Sequence, residues 1–322
     1  MTTRESAIKE KDKQLNLESI TSNDLTWIYI ERPTEQETAY LAQHFPIFHP
    51  LNLDDVLSRI QRPKIDEYKD HLFIVLHFPF FKQEEWGIIS SELDVFIGEN
   101  YLITVDCSGN LKTLSKFFKQ CQTDDEAKLE NFSRGSGYLL YRIIDQLVDY
   151  CFPILNRISA DIEETEDNIF ARKSMPRAIE YISVLRREVI SFRRIIWPMR
   201  AVIASLEPKI RRFTKTNLTD YFGDTIDHVD KIWDALDEYK EVIEGLNATH
   251  DSLVTNRTNQ VIRMLTIIAT ILAPITVVAS IFGMNIPLGP FGSSHYSALY
   301  VFLICLAIIG SMLYVFRRHR WI

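Results

Sequence analysis

The chain has 322 residues, with 36 Lys and Arg against 43 Asp and Glu and a formal charge of −7 at pH 7. That balance, and the lack of any basic patch with interleaved aromatics, exclude nucleic acid as an expected partner. The length allows two domains, and the long apolar runs fall only in the last sixty or so residues.

The first stretch, MTTRESAIKEKDKQ, is charged and lacks the apolar core of a signal peptide, so the large N-terminal part is expected to stay in the cytoplasm. Cys107, Cys121, Cys151 and Cys305 show no CxxC or knuckle spacing and read as free thiols in a reducing compartment.

In chain order, residues 1–24 are expected to be a polar tail and 25–135 a cytosolic α+β domain, a mixed sheet with helices. Within it, 25–30 (LTWIYI) reads as a strand and 34–45 as a helix with acidic residues near its start. Residues 52–60 read as a helix broken before Pro63, and 71–81 as a buried strand. A hairpin is expected from 92–97 and 101–105 around Gly98-Glu99-Asn100. Among the histidines, His44, His49, His71 and His77 form no HExxH or Cys/His cluster and read as packed or solvated.

Residues 136–218 carry two long amphipathic stretches, 138–170 and 176–206, the first ending in the acidic run Asp161, Glu163, Glu164, Glu166 and Asp167. Residues 219–282 read as one stalk helix continuing into a first transmembrane helix at 261–282, about 95 Å if unbroken. Val229, Ile232, Leu236, Tyr239, Ile243, Leu246, His250 and Leu253 recur at spacings of three and four, a heptad-like seam expected to join several chains. His250 is a candidate pore-facing group. Residues 283–295 form an outer loop, 296–316 a second transmembrane helix, and 317–322 a basic tail.

The span 261–282 has one charge, Arg263, and is long enough for a hydrocarbon core of roughly 30 Å. Arg257 and Arg263 precede it and Arg317, Arg318 and Arg320 follow the second span, whereas the loop between has no Lys or Arg. Both termini are therefore expected in the cytoplasm of a multi-pass protein in the inner or plasma membrane. From Asn259, steps of three and four give Ile262, Thr266, Ala269, Ala273, Thr276, Ser280 and Gly283. A stripe of small and hydroxyl side chains serves close helix packing or lines a path. Asn259 at one end and Gly283-Met284-Asn285 at the other favour the path, because a carboxamide offers oxygen to a cation without fixed charge.

GMN after one span, followed by a short loop and a second apolar helix, resembles the CorA family of divalent-cation channels, chiefly magnesium transporters. His49-Pro50-Leu51, Asp54-Asp55-Val56, Gln61-Arg62-Pro63-Lys64, Phe73-Ile74-Val75-Leu76 and Ile196-Trp197-Pro198-Met199-Arg200 extend the resemblance over roughly residues 25 to 322. It implies a homopentameric funnel whose outer filter is Gly283, Met284 and Asn285, with Asn285 facing the hydrated ion. Asn259, Thr276 and Ser280 would line the path below, and Ile262, Leu265 and Ala269 an apolar constriction that gates by dewetting. The acidic run is a solvated face or, by resemblance, a cation-gathering tip. Gating by cytosolic metal is implied at Asp224, in Tyr221-Phe222-Gly223-Asp224 with Asp227 and His228. The family's usual partner position holds Lys82, although Glu84 and Glu85 are close, so a plain solvated Asp224 is the alternative. An acidic ring found in some members is replaced by Ala248, and the loop 286–295 carries no carboxylate.

Mg²⁺ keeps its water, so rings of amide, hydroxyl and carbonyl oxygen suit it. An inside-negative potential of 100 mV supplies about 4.6 kcal/mol for a divalent ion, and no GxxxxGK[ST] loop is present, Gly135-Ser136-Gly137 being too short. The expected function is Mg²⁺ influx, with Co²⁺ and Ni²⁺ as further cargo; membrane lipid, divalent cations and copies of itself are the partners. No enzyme motif and no organic cofactor are expected. The alternatives are a ZntB-like zinc transporter, with or without proton coupling, and a non-conducting membrane-tethered metal sensor.

Overall fold

The runs WIYI, LFIVL, DVFI and LITV are continuous rather than alternating, the pattern of strands covered on both faces. In the computed structural model, which describes residues 15–58, 61–82, 87–170, 175–284, 297–319 and 321, they lie in one six-stranded sheet. Its strands are β1 (Leu17–Ser22), β2 (Leu25–Glu31), β3 (Lys64–Glu67), β4 (Leu72–Lys82), β5 (Gly87–Ile97) and β6 (Tyr101–Asp106). The spatial order is β1-β2-β6-β5-β4-β3, antiparallel except for the β2–β6 pair. The parallel pair follows from the long excursion between β2 and β6, since two adjacent parallel strands cannot be joined by a tight turn.

Alternate residues of β2 go to opposite layers. Ile28 and Ile30 pack with Val75, Phe96 and Val105 against Leu41 of α1 (Glu35–His44) and Leu53 and Val56 of α2 (Pro50–Leu57). Trp27 and Tyr29 turn to the other side. The Trp27 ring centroid is 5.5 Å from Phe117 and 4.9 Å from Phe118 of α3 (Lys112–Thr123), and 6.5 Å from Phe132 of α4 (Asp125–Phe132). α5 (Ser136–Asp149) adds buried Leu139, Leu140, Ile143 and Ile144. The sheet is thus the middle of three layers.

Helix ends follow local chemistry. Thr34 and Glu37 form a capping box at the start of α1, and Glu37 Oε1 also accepts from the Asn16 N–H at 2.9 Å, which ties the approach to β1 to that helix. Residues 17–22, expected in the tail, therefore form a strand. Only Ile20 of β1 is fully buried, so this edge strand lacks the apolar alternation that would announce it.

The expected helix 138–170 is two, α5 and α6 (Cys151–Phe170). Pro153 lacks the N–H that would reach the Asp149 carbonyl, which interrupts the ladder beside Tyr150. The acidic run of α6 points outward while Ile162, Thr165 and Ile169 are buried, as a solvated face requires. α7 (Met175–Ile210) runs through Pro198 and Pro208 into a single 3₁₀ turn at Arg211–Phe213. The helix expected at 52–60 is observed to Leu57, and residues 59 and 60 lie outside the described residues.

α8 (Thr219–Phe282) is one helix, and α9 (Ser297–Arg318) closes the chain. The chain divides into two units, Met1–Asn247 and Ala248–Ile322. In the first, the seam expected to join chains is consumed within the chain: Val229, Ile232, Leu236, Ile243 and Leu246 are buried. α7 covers this helix and holds it with ion pairs from Arg193 to Asp237 and Arg200 to Asp230, and with Trp197 4.8 Å from Trp233. His250, in the second unit, is 1% exposed. The second unit contains the two segments long and apolar enough to cross a membrane.

Candidate ion path and cytosolic carboxylate cluster

The membrane part of α8 has two unlike faces. Ile267, Thr270, Ile271, Pro274, Ile275, Val278 and Phe282 are half-buried, and on α9 the half-buried positions Val301, Cys305, Ile308, Ile309, Met312 and Phe316 make a matching stripe. Asn259, Ile262, Leu265, Thr266, Ala269, Ala273, Thr276 and Ser280 are all exposed. At 3.6 residues per turn, the centre of this exposed stripe is about 160° around the helix from the centre of the half-buried one. The residues expected to line a path therefore share the face that the chain itself leaves uncovered.

The hydroxyls on that face have a defined polarity. Thr266 donates to the Ile262 carbonyl at 2.8 Å and Thr276 to the Leu272 carbonyl at 2.9 Å. Their protons are thus used on the helix, and their oxygens face outward as acceptors. Water bound to a cation presents protons, so acceptors are the groups it needs. Gly283 continues the helix, its N–H donating to the Ala279 carbonyl at 2.8 Å, and Met284 donates to the Ile281 carbonyl at 3.3 Å. A Cβ on Gly283 would meet the Ala279 carbonyl oxygen at 3.1 Å, a tight contact. Asn285 lies outside the described residues, as does the loop expected at 286–295.

Asp224 is on the first turns of α8, its side chain 64% exposed. His228, one turn on, brings Nε2 to 3.9 Å from Asp224 Oδ1 and Nδ1 to 3.5 Å from Asp149 Oδ1. Ligand atoms of Asp145, Asp149 and His228 lie within 4.8 Å of one another. Two helices thus each present an i, i+4 pair, Asp145 with Asp149 on α5 and Asp224 with His228 on α8. Burial and the Asp149 charge push the Asp145 carboxyl above its ordinary range, the response of an acid held beside others. Sequence reasoning singled out Asp224 and missed Asp145 and Asp149, whose four-residue spacing on one helix was the available signal. Lys82, at the expected partner position, ends β4, and Glu84 and Glu85 lie outside the described residues.

A six-stranded sheet domain followed by two helices long and apolar enough to cross a membrane fits the class of membrane transport proteins. The family model described as CorA-like Mg2+ transporter protein matches residues 22–318. The chain is 28% identical to the Cobalt/magnesium transport protein CorA of Thermotoga maritima, over 94% of this chain and 84% of the relative. It is 29% identical to the Putative metal ion transporter YfjQ of Bacillus subtilis, over 96% and 94%. The complete structure of the CorA magnesium transporter from Methanocaldococcus jannaschii superimposes with a TM-score of 0.82 at 26% identity, covering 95% of this chain and 94% of that one. The chain belongs to the CorA-like Mg2+ transporter family, and so to divalent metal transporters and not to enzymes.

Proposed function

We propose that the protein is a passive channel for Mg²⁺ influx, with Co²⁺ as further cargo in keeping with the cobalt/magnesium relatives. The observation that carries this reading is the open stripe Asn259, Ile262, Leu265, Thr266, Ala269, Ala273, Thr276 and Ser280, with its outward acceptor oxygens. One two-span chain cannot enclose a water-filled path, so several copies, a homopentamer by family resemblance, bring their stripes together. Gly283, Met284 and Asn285 form the outer filter, where a hydrated ion is held by hydrogen bonds to its water and not stripped. Ile262, Leu265 and Ala269 make the narrow apolar segment that closes by dewetting.

Cytosolic metal closes the channel through Asp224, with His228, Asp149 and Asp145 completing a group of hard oxygen donors and one imidazole. Both termini are cytoplasmic, as the arginines flanking the spans require. The stretch 25–218 serves as the cytosolic body, 219–282 as stalk and first span, and 283–295 as filter and loop.

The test is uptake into liposomes holding the purified protein and a Mg²⁺-sensitive dye under an imposed inside-negative potential. Mg²⁺ entry follows the potential, needs no pH gradient and is lost in Asn285→Ala. Zn²⁺ entry that requires a proton gradient, with little Mg²⁺ flux, would sink this reading.

A further inference from the structure

Three metal-binding side chains meet on one face of the sheet, with a histidine beside them, and take no part in the transport reading. Glu92 and Asp94 are two residues apart on β5 and share a face. His77 of β4 stands opposite Glu92 in the register, and Cys107 follows β6 with its backbone N–H donating to the Glu92 carbonyl at 3.3 Å. Ligand atoms of Glu92, Asp94 and Cys107 lie within 4.8 Å of one another. His77 Nε2 is 3.3 Å from Glu92 Oε2.

The cluster is buried and only half satisfied. Asp94 is 0% exposed and Glu92 7%. Glu92 Oε2 accepts from the Gln61 N–H at 3.1 Å, and Asp94 Oδ2 accepts from the Cys107 thiol at 3.4 Å. Among the described residues, Glu92 Oε1 and Asp94 Oδ1 have no hydrogen-bond partner. Buried oxygens in that state are costly unless a cation or a proton is supplied. The lysine that reaches the cluster, Lys64, already has its Nζ 2.8 Å from both Asp55 and Asp66. The C-terminal end of α2 faces the site as well, its Val56 carbonyl 3.9 Å from Cys107 Sγ, and a helix C-terminus favours a cation. Burial, then the neighbouring acids, pushes the Asp94 carboxyl and the Cys107 thiol up.

With zinc-like bond lengths to sulfur and oxygen, the edge of a tetrahedral site is roughly 3.4–3.6 Å. The thiol-to-carboxylate distance of 3.4 Å is close to such an edge. A thiolate is a poor ligand for Mg²⁺ and a good one for Zn²⁺ and Co²⁺.

We propose that Glu92, Asp94 and Cys107 form a site for Zn²⁺ or Co²⁺ inside the sheet domain, with His77 placed against the Glu92 carboxylate, distinct from the transport path and from the Asp224 group. Binding takes Cys107 as the thiolate and so releases the thiol proton. The cysteine read from sequence as a free thiol is then a metal ligand.

The full-length protein in detergent, stripped of metal, is titrated with Co²⁺ and followed by absorption. Cobalt in this site gives a near-ultraviolet thiolate-to-metal charge-transfer band and intense visible bands of a tetrahedral ion, whereas a hydrated ion among oxygens gives no thiolate band. Both signals should grow to stoichiometric saturation, disappear on adding Zn²⁺ and persist in excess Mg²⁺. Cys107→Ser should abolish the charge-transfer band with circular dichroism unchanged. His77→Gln, at a partly exposed position, should shift the visible bands and weaken binding. Asn285→Ala should leave every spectrum as it was, so the outcome is independent of transport. Folded wild-type protein without the thiolate band, a band that survives Cys107→Ser, or spectra indifferent to His77→Gln would overturn the assignment; the first of these would mean that the acids and thiol share protons only.

Discussion

Cysteine scanning of the first span tests the path directly. In a Cys305→Ala background, single cysteines from 262 to 280 are exposed to a water-soluble cationic thiol reagent in liposomes, and Mg²⁺ flux is measured before and after. The helix turns about 100° per residue, so 262, 266, 269, 273, 276 and 280 fall within about 40° of a common direction. Positions 267, 271, 275 and 278 centre on the opposite side, where the half-buried stripe lies. A positive adduct roughly 6 Å from a divalent ion in a water-filled path repels it by about 1.4 kcal/mol, close to tenfold in flux for each modified chain. Inhibition should therefore recur every three or four residues, strongest on the first set and weak on the second. Inhibition centred on 267, 271, 275 and 278, or without helical period, would refute the assignment of the stripe.

Two further outcomes concern the first unit. Arg157 Nη2 lies 3.1 Å from Oε2 of Glu188, which is 5% exposed, and its guanidinium sits 3.2 Å from the Phe81 ring centroid. Arg157→Met leaves that acid buried without its partner and should cost about 3–5 kcal/mol near neutral pH. Burial raises the Glu188 carboxyl above its ordinary value and Arg157 holds it down, so the variant raises it further. An acid raised on folding loses stability as pH climbs from its unfolded value, here 4.5, through the folded one. The deficit in thermal unfolding should thus shrink toward acid and be largely relieved by adding Glu188→Gln; a deficit independent of pH would contradict this. Thr34→Ala breaks the capping box of α1 and should cost about 1 kcal/mol in denaturant unfolding, with hydrogen exchange accelerating at the N–H groups of Thr34, Gln36 and Asn16.

What the sequence disclosed tracks burial. The strands around Trp27, Phe73, Phe96 and Ile103 were legible because both faces of the sheet are covered, so apolar residues run together. β1 and β3 were not, being edge strands with one buried residue and none. α3 went unremarked although Leu114, Phe117, Phe118 and Cys121 carry a helical spacing, since the loop before it gives no side-chain cap to mark its start. The Asp145, Asp149 and His228 group was illegible for another reason. Each half is an ordinary i, i+4 pair, and only the packing of α8 near the end of α5 turns two solvated faces into one cluster.

The long helix shows why periodicity alone misassigns a partner. One pattern of threes and fours runs from Val229 to Ser280, and by spacing it reads as a single interchain surface. Within the first unit the pattern is apolar, and α7 covers it, with Arg193, Arg200 and Trp197 closing its flanks. Past Asn259 the repeat changes chemistry to Thr, Ala and Ser, and its chain does not cover it. Covering it with lipid would gain little, because small side chains offer little apolar area and Thr oxygens already turned outward would lose their water. Packing it against like stripes around a wet axis keeps those acceptors hydrated. The same period therefore folds the chain in one half and, on the proposed reading, faces further copies in the other, and the residue types, not the spacing, separate the two.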